Sequence, residues 1–408
     1  MALADLKTSY VGRQGALFRL ALKTGMLTVL TGGMYRFWMK TRLRRYFWSS
    51  IRIGGVPLEY VGDPWEKLLG FLFAVVVLAF YIGVVNLVLM FISFSLFQTN
   101  FVAYALSFVG VLPLLFFARY RARRYVLART RWRGIRFGLE PGAWGYAWRA
   151  ALHWIAAILT LGILWPRKAF YLEKYLTDHT YYGDTALHQG GRWTMLLGAM
   201  KHLYIGVGIS VVVGGLAYWL EKPSLYIVLL GSVPWALIGL AYWRAHAFRV
   251  LLATKEIGGA GFTSAARGGS VLGIYVGGYI LTFLVVLAGI FVFFFAFGFV
   301  VGGLFGMESL FTTLAGSNER TPVPGAPGSA RSLQLWVVTI YGIATYFASF
   351  LFWSAAKNSF VTLPLIRHFA ESTTITNAHA LNQTQQRGRD EFTEAEGFAD
   401  ALDVGAAL

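Results

Sequence analysis

Between Arg119 and Arg136 the chain places eight arginines and no lysine, interleaved with Tyr120, Tyr125 and Trp132. A guanidinium presents a planar fork of donors that fits a phosphate and also stacks on aromatic rings, so arginine to the exclusion of lysine points to recognition of an anionic lipid headgroup. Arg121, Arg123, Arg124, Arg131 and Arg133 are the expected ligands. Arg44 and Arg45, in the earlier run YRFWMKTRLRRYFW, occupy the equivalent place and join them. The plainer reading is attraction of any basic residue to the cytoplasmic face, which lysine would satisfy equally well.

Other chemistry is sparse. Lys201 and His202 are ionisable residues within an apolar run, where charge costs about 2.5–3.5 kcal/mol even on a lenient scale. Lys201 lies close enough to Trp193 for its ammonium to snorkel to the interface. The eight apolar segments hold no Asp or Glu, which argues against a proton relay through a buried carboxylate. With no cysteine and no His-x-x-x-His or Glu-x-x-His pair, no metal site is expected. Neither a phosphate-cradling GxxxxGK[ST] loop nor a serine nucleophile elbow is present, so no cofactor and no enzymatic activity are expected.

The elements that must hold these residues are membranous. Of 408 residues, 57% are hydrophobic, 17% aromatic and 13% charged, far more apolar surface than a soluble domain covers. Six runs approach or exceed the roughly 20 residues needed to span a bilayer: Leu68–Phe97, Phe101–Ala118, Leu196–Leu220, Leu225–Tyr242, Val271–Phe305 and Leu333–Trp353. The formal charge of +17 sits beside those runs among Trp, Tyr and Phe, the composition of a membrane interface rather than of a nucleic-acid binder. Anionic membrane lipids are therefore the expected partners, with a protein partner or a second copy of the chain beside them, and nucleic acid is not.

The basic cassettes repeat. Tyr35–Gly62, Phe117–Leu139, Trp165–Leu187, Trp243–Phe262 and, in weaker form, Trp353–Ile375 carry a basic-aromatic helix, and the first four continue into a glycine-turned β-hairpin. Copies one and three are offset by 129 residues and copies two and four by 125, which implies a tandem duplication. A single apolar segment separates cassettes two and three. If every cassette is cytoplasmic, that segment, Ala150–Trp165, and its counterpart Leu17–Tyr35 must enter the membrane and return, with Gly33 and Gly162 at the re-entrant turns.

The expected fold is thus mainly α: a polytopic membrane protein with six spanning helices, two short re-entrant or interfacial segments, tandem duplication, small cytoplasmic β-hairpins and both termini in the cytoplasm. The expected organisation is a first membrane repeat (1–145), a second (146–270), a C-terminal membrane hairpin with a degenerate cassette (271–375) and a polar acidic tail (376–408). A transporter- or channel-like activity and a non-enzymatic scaffold that docks a partner both fit this outline.

The aromatic-x-K-x-R-x-R-R-Tyr cassette, the preceding Leu-Thr-x-Gly, the Gly-Gly hairpin and RTRWRGIRFGL after Ala128 together resemble the YjgN-like family of bacterial inner-membrane proteins. The resemblance implies a multi-pass inner-membrane protein and supplies no catalytic residue.

Overall fold

The computed structural model describes residues 5–98, 101–305 and 328–388. Ten short strands close into an antiparallel barrel: β1 (Asp5–Tyr10), β2 (Ile51–Ile53), β3 (Val56–Tyr60), β4 (Thr130–Trp132), β5 (Ile135–Leu139), β6 (Thr180–Tyr182), β7 (Thr185–Gln189), β8 (Lys255–Ile257), β9 (Ala260–Ser264) and β10 (Thr373–Thr376). Each strand neighbours the next in the chain, and β10 closes onto β1 with Asp5 opposite Thr376, Leu6 opposite Ile375 and Lys7 opposite Thr374. Closure leaves no open edge.

Two-residue turns join β2–β3, β4–β5, β6–β7 and β8–β9. Their first residues, Gly54, Arg133, Gly183 and Gly258, have φ of 58°, 50°, 58° and 53°, the left-handed backbone that tight hairpins demand. Antiparallel strands alternate in direction, so these turns share one rim and all five longer connections begin and end at the other. The described residues of each are mainly helical: α1 (Gln14–Leu30) and α2 (Arg36–Ser50); α3 (Pro64–Phe80), a π-helical turn at Tyr81–Val85, α4 (Asn86–Phe97) and α5 (Phe101–Ala128); α6 (Ala143–Leu159) and α7 (Trp165–Asp178); α8 (Leu197–Trp219) and α9 (Leu229–Ala253); α10 (Gly268–Phe305), α11 (Gly328–Lys357) and α12 (Leu363–Glu371).

The barrel is filled. Leu6, Trp132, Tyr182, Ile257, Ala260 and Ile375 form its buried core, with Ile53, Val56, Leu58, Ile135, Phe137, Leu187 and Phe262 packed against them. Alternation along each strand sends these side chains inward and their neighbours out. Toward the helix-side rim the buried strand residues become mostly polar or phenolic, Thr8, Tyr10, Tyr60, Thr130, Thr180 and Gln189, while Leu139 is buried there as an apolar residue. At the turn-side rim the chain after β10 closes the end, with Ala378 and Leu381 joining the apolar core.

Two compact units divide the chain: Met1–Gly12, Lys40–Gly273 and Leu365–Leu408 form one, Arg13–Met39 and Ile274–Pro364 the other. The first holds the barrel. Within it α8 and α9 pack at close quarters; a Cβ on Gly206 would lie 2.5 Å from the Ala236 backbone nitrogen, and one on Gly239 2.5 Å from that of Leu203. In the second unit α1 lies against α11, Gly25 facing the Leu351 side chain, and the Tyr341 hydroxyl of α11 donates to the Phe294 carbonyl of α10 at 2.9 Å.

This architecture corrects the six-span expectation. Among the described residues three helical stretches are long and apolar enough to cross a membrane: Trp193–Trp219, Pro223–Ala253 and Gly268–Val300. The run Leu68–Phe97 contains the π-helical turn at Tyr81–Val85; side chains at 74, 77, 78, 81 and 82 lie outside the described residues, and the described stretch Gly83–Phe97 is a shorter apolar helix. Parts of Phe101–Ala118 and Leu333–Trp353 have side chains outside the described residues. The hairpins, too, are not separate appendages: strands that are adjacent in the chain pair with one another, and the two ends pair to seal the ring.

Candidate functional site at the barrel rim

The basic cassettes converge on the helix-side rim because each feeds directly into a barrel strand. Six residues before β2, β4, β6, β8 and β10 stand Arg45, Arg124, Lys174, Arg249 and Arg367, a cation in every copy. Four of them donate to a backbone carbonyl at or just past the end of a neighbouring strand: Arg45 Nη2 to Gly62 (2.9 Å), Arg124 Nε to Leu139 (3.0 Å), Lys174 Nζ to Gln189 (2.7 Å) and Arg367 Nη2 to Gly12 (2.7 Å). Where a strand stops pairing, its carbonyls need new donors, and a charged donor makes a strong bond. The repeated cation therefore latches each returning helix to the barrel.

The remaining predicted ligands are spread around the same unit. Arg44 is buried, donates to the Tyr60 hydroxyl at 3.1 Å and lies 5.2 Å from the centroid of that ring. Arg124 is buried as well. Arg121 is half-buried over the Phe117 ring, at 5.4 Å. Arg123 faces Glu173 and Tyr146 electrostatically. Arg131 and Arg133 belong to the barrel itself, Arg131 on the outer face of β4 and Arg133 in the β4–β5 turn, stacked on Trp132 at 4.4 Å. The seven arginines are thus not one constellation. On α8, Lys201 is exposed, 5.9 Å from the Tyr242 ring, and the His202 ring meets the same tyrosine edge-on at 4.8 Å.

Gly33 and Gly162 sit in the turns that reverse the chain between α1 and α2 and between α6 and α7, with φ of 94° and 88°. In both, the glycine N–H closes on a carbonyl five residues back, Thr28 or Ala157, at 2.7 Å. The threonine of Leu-Thr-x-Gly accepts from the backbone four residues on: Tyr35 N to Thr31 Oγ1 at 3.0 Å and Leu164 N to Thr160 Oγ1 at 3.2 Å. That motif is a helix stop and reversal. Its second copy places Leu161 at φ 49°, 94% exposed.

Sequence reading missed the carboxylates that anchor the rim. Glu66 Oε2 accepts from Arg129 Nε at 2.8 Å and from the Tyr125 hydroxyl at 3.1 Å, tying the start of α3 to the end of α5, and Lys67 beside it is fully buried near the Tyr60 and Tyr125 rings. Burial, then the neighbouring Tyr60, pushes the Tyr125 hydroxyl far above the ordinary phenol range. Glu173 on α7 meets Lys255 of β8 at 2.5 Å. Burial alone would raise its carboxyl, but Lys255, Arg123 and Arg119 outweigh that and hold it below the ordinary value. The only sequence signal was position: Glu66 falls just past cassette one and Glu173 within cassette three, neither inside an apolar run. Among the described residues no three His, Asp or Glu side chains are grouped to hold a metal. The rim is built of ion pairs and latches that fix the helices to the strands.

Residues 5–286 match the family described as "Bacterial protein of unknown function (DUF898)". The chain belongs to this family. The match runs from β1 into α10 and so takes in nine of the ten strands. Over 141 residues the chain is also 26% identical to "Inner membrane protein YjgN" of Salmonella typhimurium, covering 34% of this chain and 33% of that protein. The chain thus matches about a third of that relative's length. These matches support the YjgN-like grouping. No solved structure matches the fold.

Proposed function

We propose that the chain is a non-enzymatic scaffold of the bacterial inner membrane, in which the barrel is a rigid hub at the cytoplasmic face that gathers the ends of helical hairpins. The observation that carries this reading is the filled barrel: Trp132, Tyr182 and the aliphatic side chains around them occupy its interior, and Ala378 and Leu381 close one end. A barrel packed in this way is a core, not a conduit. The likeness to a Salmonella inner-membrane protein supports the location.

In the same reading α8 and α9 cross the bilayer, while the shorter α6–α7 hairpin dips one leaflet deep. Its 17-residue first helix is about 25 Å long. Trp144, Trp148, Leu152, Ile155 and Leu159 make one exposed apolar stripe on α6, ending at Leu161 and Ile163 in and beside the turn. Leu161 holds a left-handed backbone at some cost while fully exposing an apolar side chain, which favours an apolar surrounding for the tip. Contact with anionic headgroups falls to the exposed Arg45 and the half-buried Arg121, since Arg44 and Arg124 are buried.

Purified protein reconstituted in liposomes tests the reading against transport. The expected result is no protein-dependent flux of ions or dyes and no lipid scrambling. Flux that Gly33→Val or Gly162→Val abolishes, in protein that still inserts normally, would replace the scaffold by a transporter.

A further inference from the structure

Four of the five repeated cations latch a strand end; Arg249, in the fourth copy, does not. Its Nη2 instead meets His246 Nδ1 at 2.9 Å, one turn back on α9, and its side chain is exposed. The end of β9 is tied by other means. The Ser264 hydroxyl meets that of Ser372 at 3.2 Å and accepts from the Ala266 N–H at 3.2 Å, while the Ala265 N–H donates to the Ser372 carbonyl at 2.9 Å. The fourth cation is thus released from the latch and engaged with a side chain of its own helix.

That side chain leads to α8. Tyr242 is packed against the start of α10, where a Cβ on Gly268 would lie 3.1 Å from its ring. The His246 ring stacks with the Tyr242 ring at a centroid distance of 5.4 Å, His202 meets the same ring edge-on at 4.8 Å, and the Lys201 ammonium lies 5.9 Å from its centroid. One fixed ring therefore gathers two imidazoles and an ammonium, and Arg249 joins through His246. The Arg249 bond also sets the tautomer of His246: a guanidinium can only donate, so Nδ1 accepts and the proton of the neutral ring sits on Nε2. That N–H has no acceptor among the described residues.

The cluster lacks a counter-charge. Helices α8 and α9 carry Lys201, Arg244 and Arg249 and no Asp or Glu. The charged groups that act on His246 are Arg249 and Lys201, both positive. Alongside, the chain after β9 brings Arg267, whose N–H donates to His368 Nε2 at 3.2 Å, and α12 brings Glu371, which acts on His368. We propose that Lys201, His202, His246 and Arg249 form a binding site for a phosphate group, borne by a lipid headgroup or by a free phosphate, at the barrel-side end of α8 and α9. Phosphate oxygens accept from a guanidinium fork, an ammonium and an imidazole N–H alike, and their charge answers the two permanent cations. A site of this kind serves a scaffold and a transporter equally, so it stands or falls apart from the liposome flux result.

Full-length protein in neutral detergent tests the site, titrated with phosphatidic acid under native mass spectrometry and with inorganic phosphate in a calorimeter. Lys201→Gln/Arg249→Gln should weaken binding about tenfold or more, as the loss of hydrogen bonds from charged donors implies. Lys7→Gln/Arg52→Gln removes the same charge from exposed positions on the barrel wall and should change it by no more than about twofold. Lys201 and Arg249 are exposed, so their variant should unfold at the parental temperature, and His246→Gln alone supplies a second reading by weakening binding to a lesser degree. Binding of phosphatidic acid alone assigns a lipid headgroup; binding of inorganic phosphate, with or without the lipid, assigns a free phosphate. Binding of neither, or equal losses in the two double variants, would overturn the proposal.

Discussion

Glu173 and Leu161 illustrate two ways in which one residue exposes its role. Glu173 is held ionised by Lys255, Arg123 and Arg119 against the cost of burial, so its folded-state pKa lies below the unfolded value. Its contribution is complete above the ordinary carboxylate range and is lost as pH falls through the folded pKa. Wild-type protein should therefore lose thermal stability on acidification through and below that range, and Glu173→Gln, less stable at neutral pH, should lose less. Thermal unfolding of both proteins across that range checks this; parallel curves would refute it. Leu161 is strained, not paired. Leu161→Gly should raise stability in detergent by about 1 kcal/mol, because glycine adopts the left-handed backbone freely, and the same change should weaken retention of the α6–α7 tip in the bilayer, read by fluorescence quenching of Trp165 with lipid-borne quenchers.

Helix packing and hairpin geometry lie at the scale of the element. Gly239 of α9 sits against the Leu203 backbone, whereas Gly208 of α8 faces nothing within 4 Å. Gly239→Ala should cost about 1–3 kcal/mol through overpacking, while Gly208→Ala should be neutral or slightly stabilising. Denaturation in detergent separates the two, and equal effects would mean that the α8–α9 contact is wrongly placed. The sequence made this scale largely legible. Gly54-Gly55 and Gly258-Gly259 betrayed their turns, since tight hairpins need left-handed residues, and Leu-Thr-x-Gly marked the reversals between α1 and α2 and between α6 and α7. The latches were legible as cations but not as latches: Arg45 and Arg124 read as headgroup ligands, Lys174 and Arg367 only as cassette residues, because nothing local tells a cation whether a carbonyl or a phosphate awaits it. The π-helical turn at Tyr81–Val85 left no signal either, because an extra residue in a helical turn does not change an apolar composition.

For the whole molecule, what stayed hidden is closure. β1 and β10 are short polar-apolar alternations, DLKTSY and TTIT, separated by nearly the entire chain. Pairing between such distant strands has no local signature, and its cost in loop closure grows only slowly with separation. Counting apolar runs gave six spans where three described helical stretches are long and apolar enough, and could not show that the helical connections all spring from one barrel. The central claim is that the two ends of the chain seal a ten-stranded ring, and the cysteine-free background allows a direct measurement. Lys7 and Thr374 are opposed on the outer face of β1 and β10. Full-length protein carrying Lys7→Cys and Thr374→Cys should form an intramolecular disulfide under mild oxidation, seen as a reducible mobility shift, whereas Lys7→Cys with Glu256→Cys should not. Absence of the Lys7–Thr374 disulfide, or equal yields from both pairs, would contradict the closed barrel.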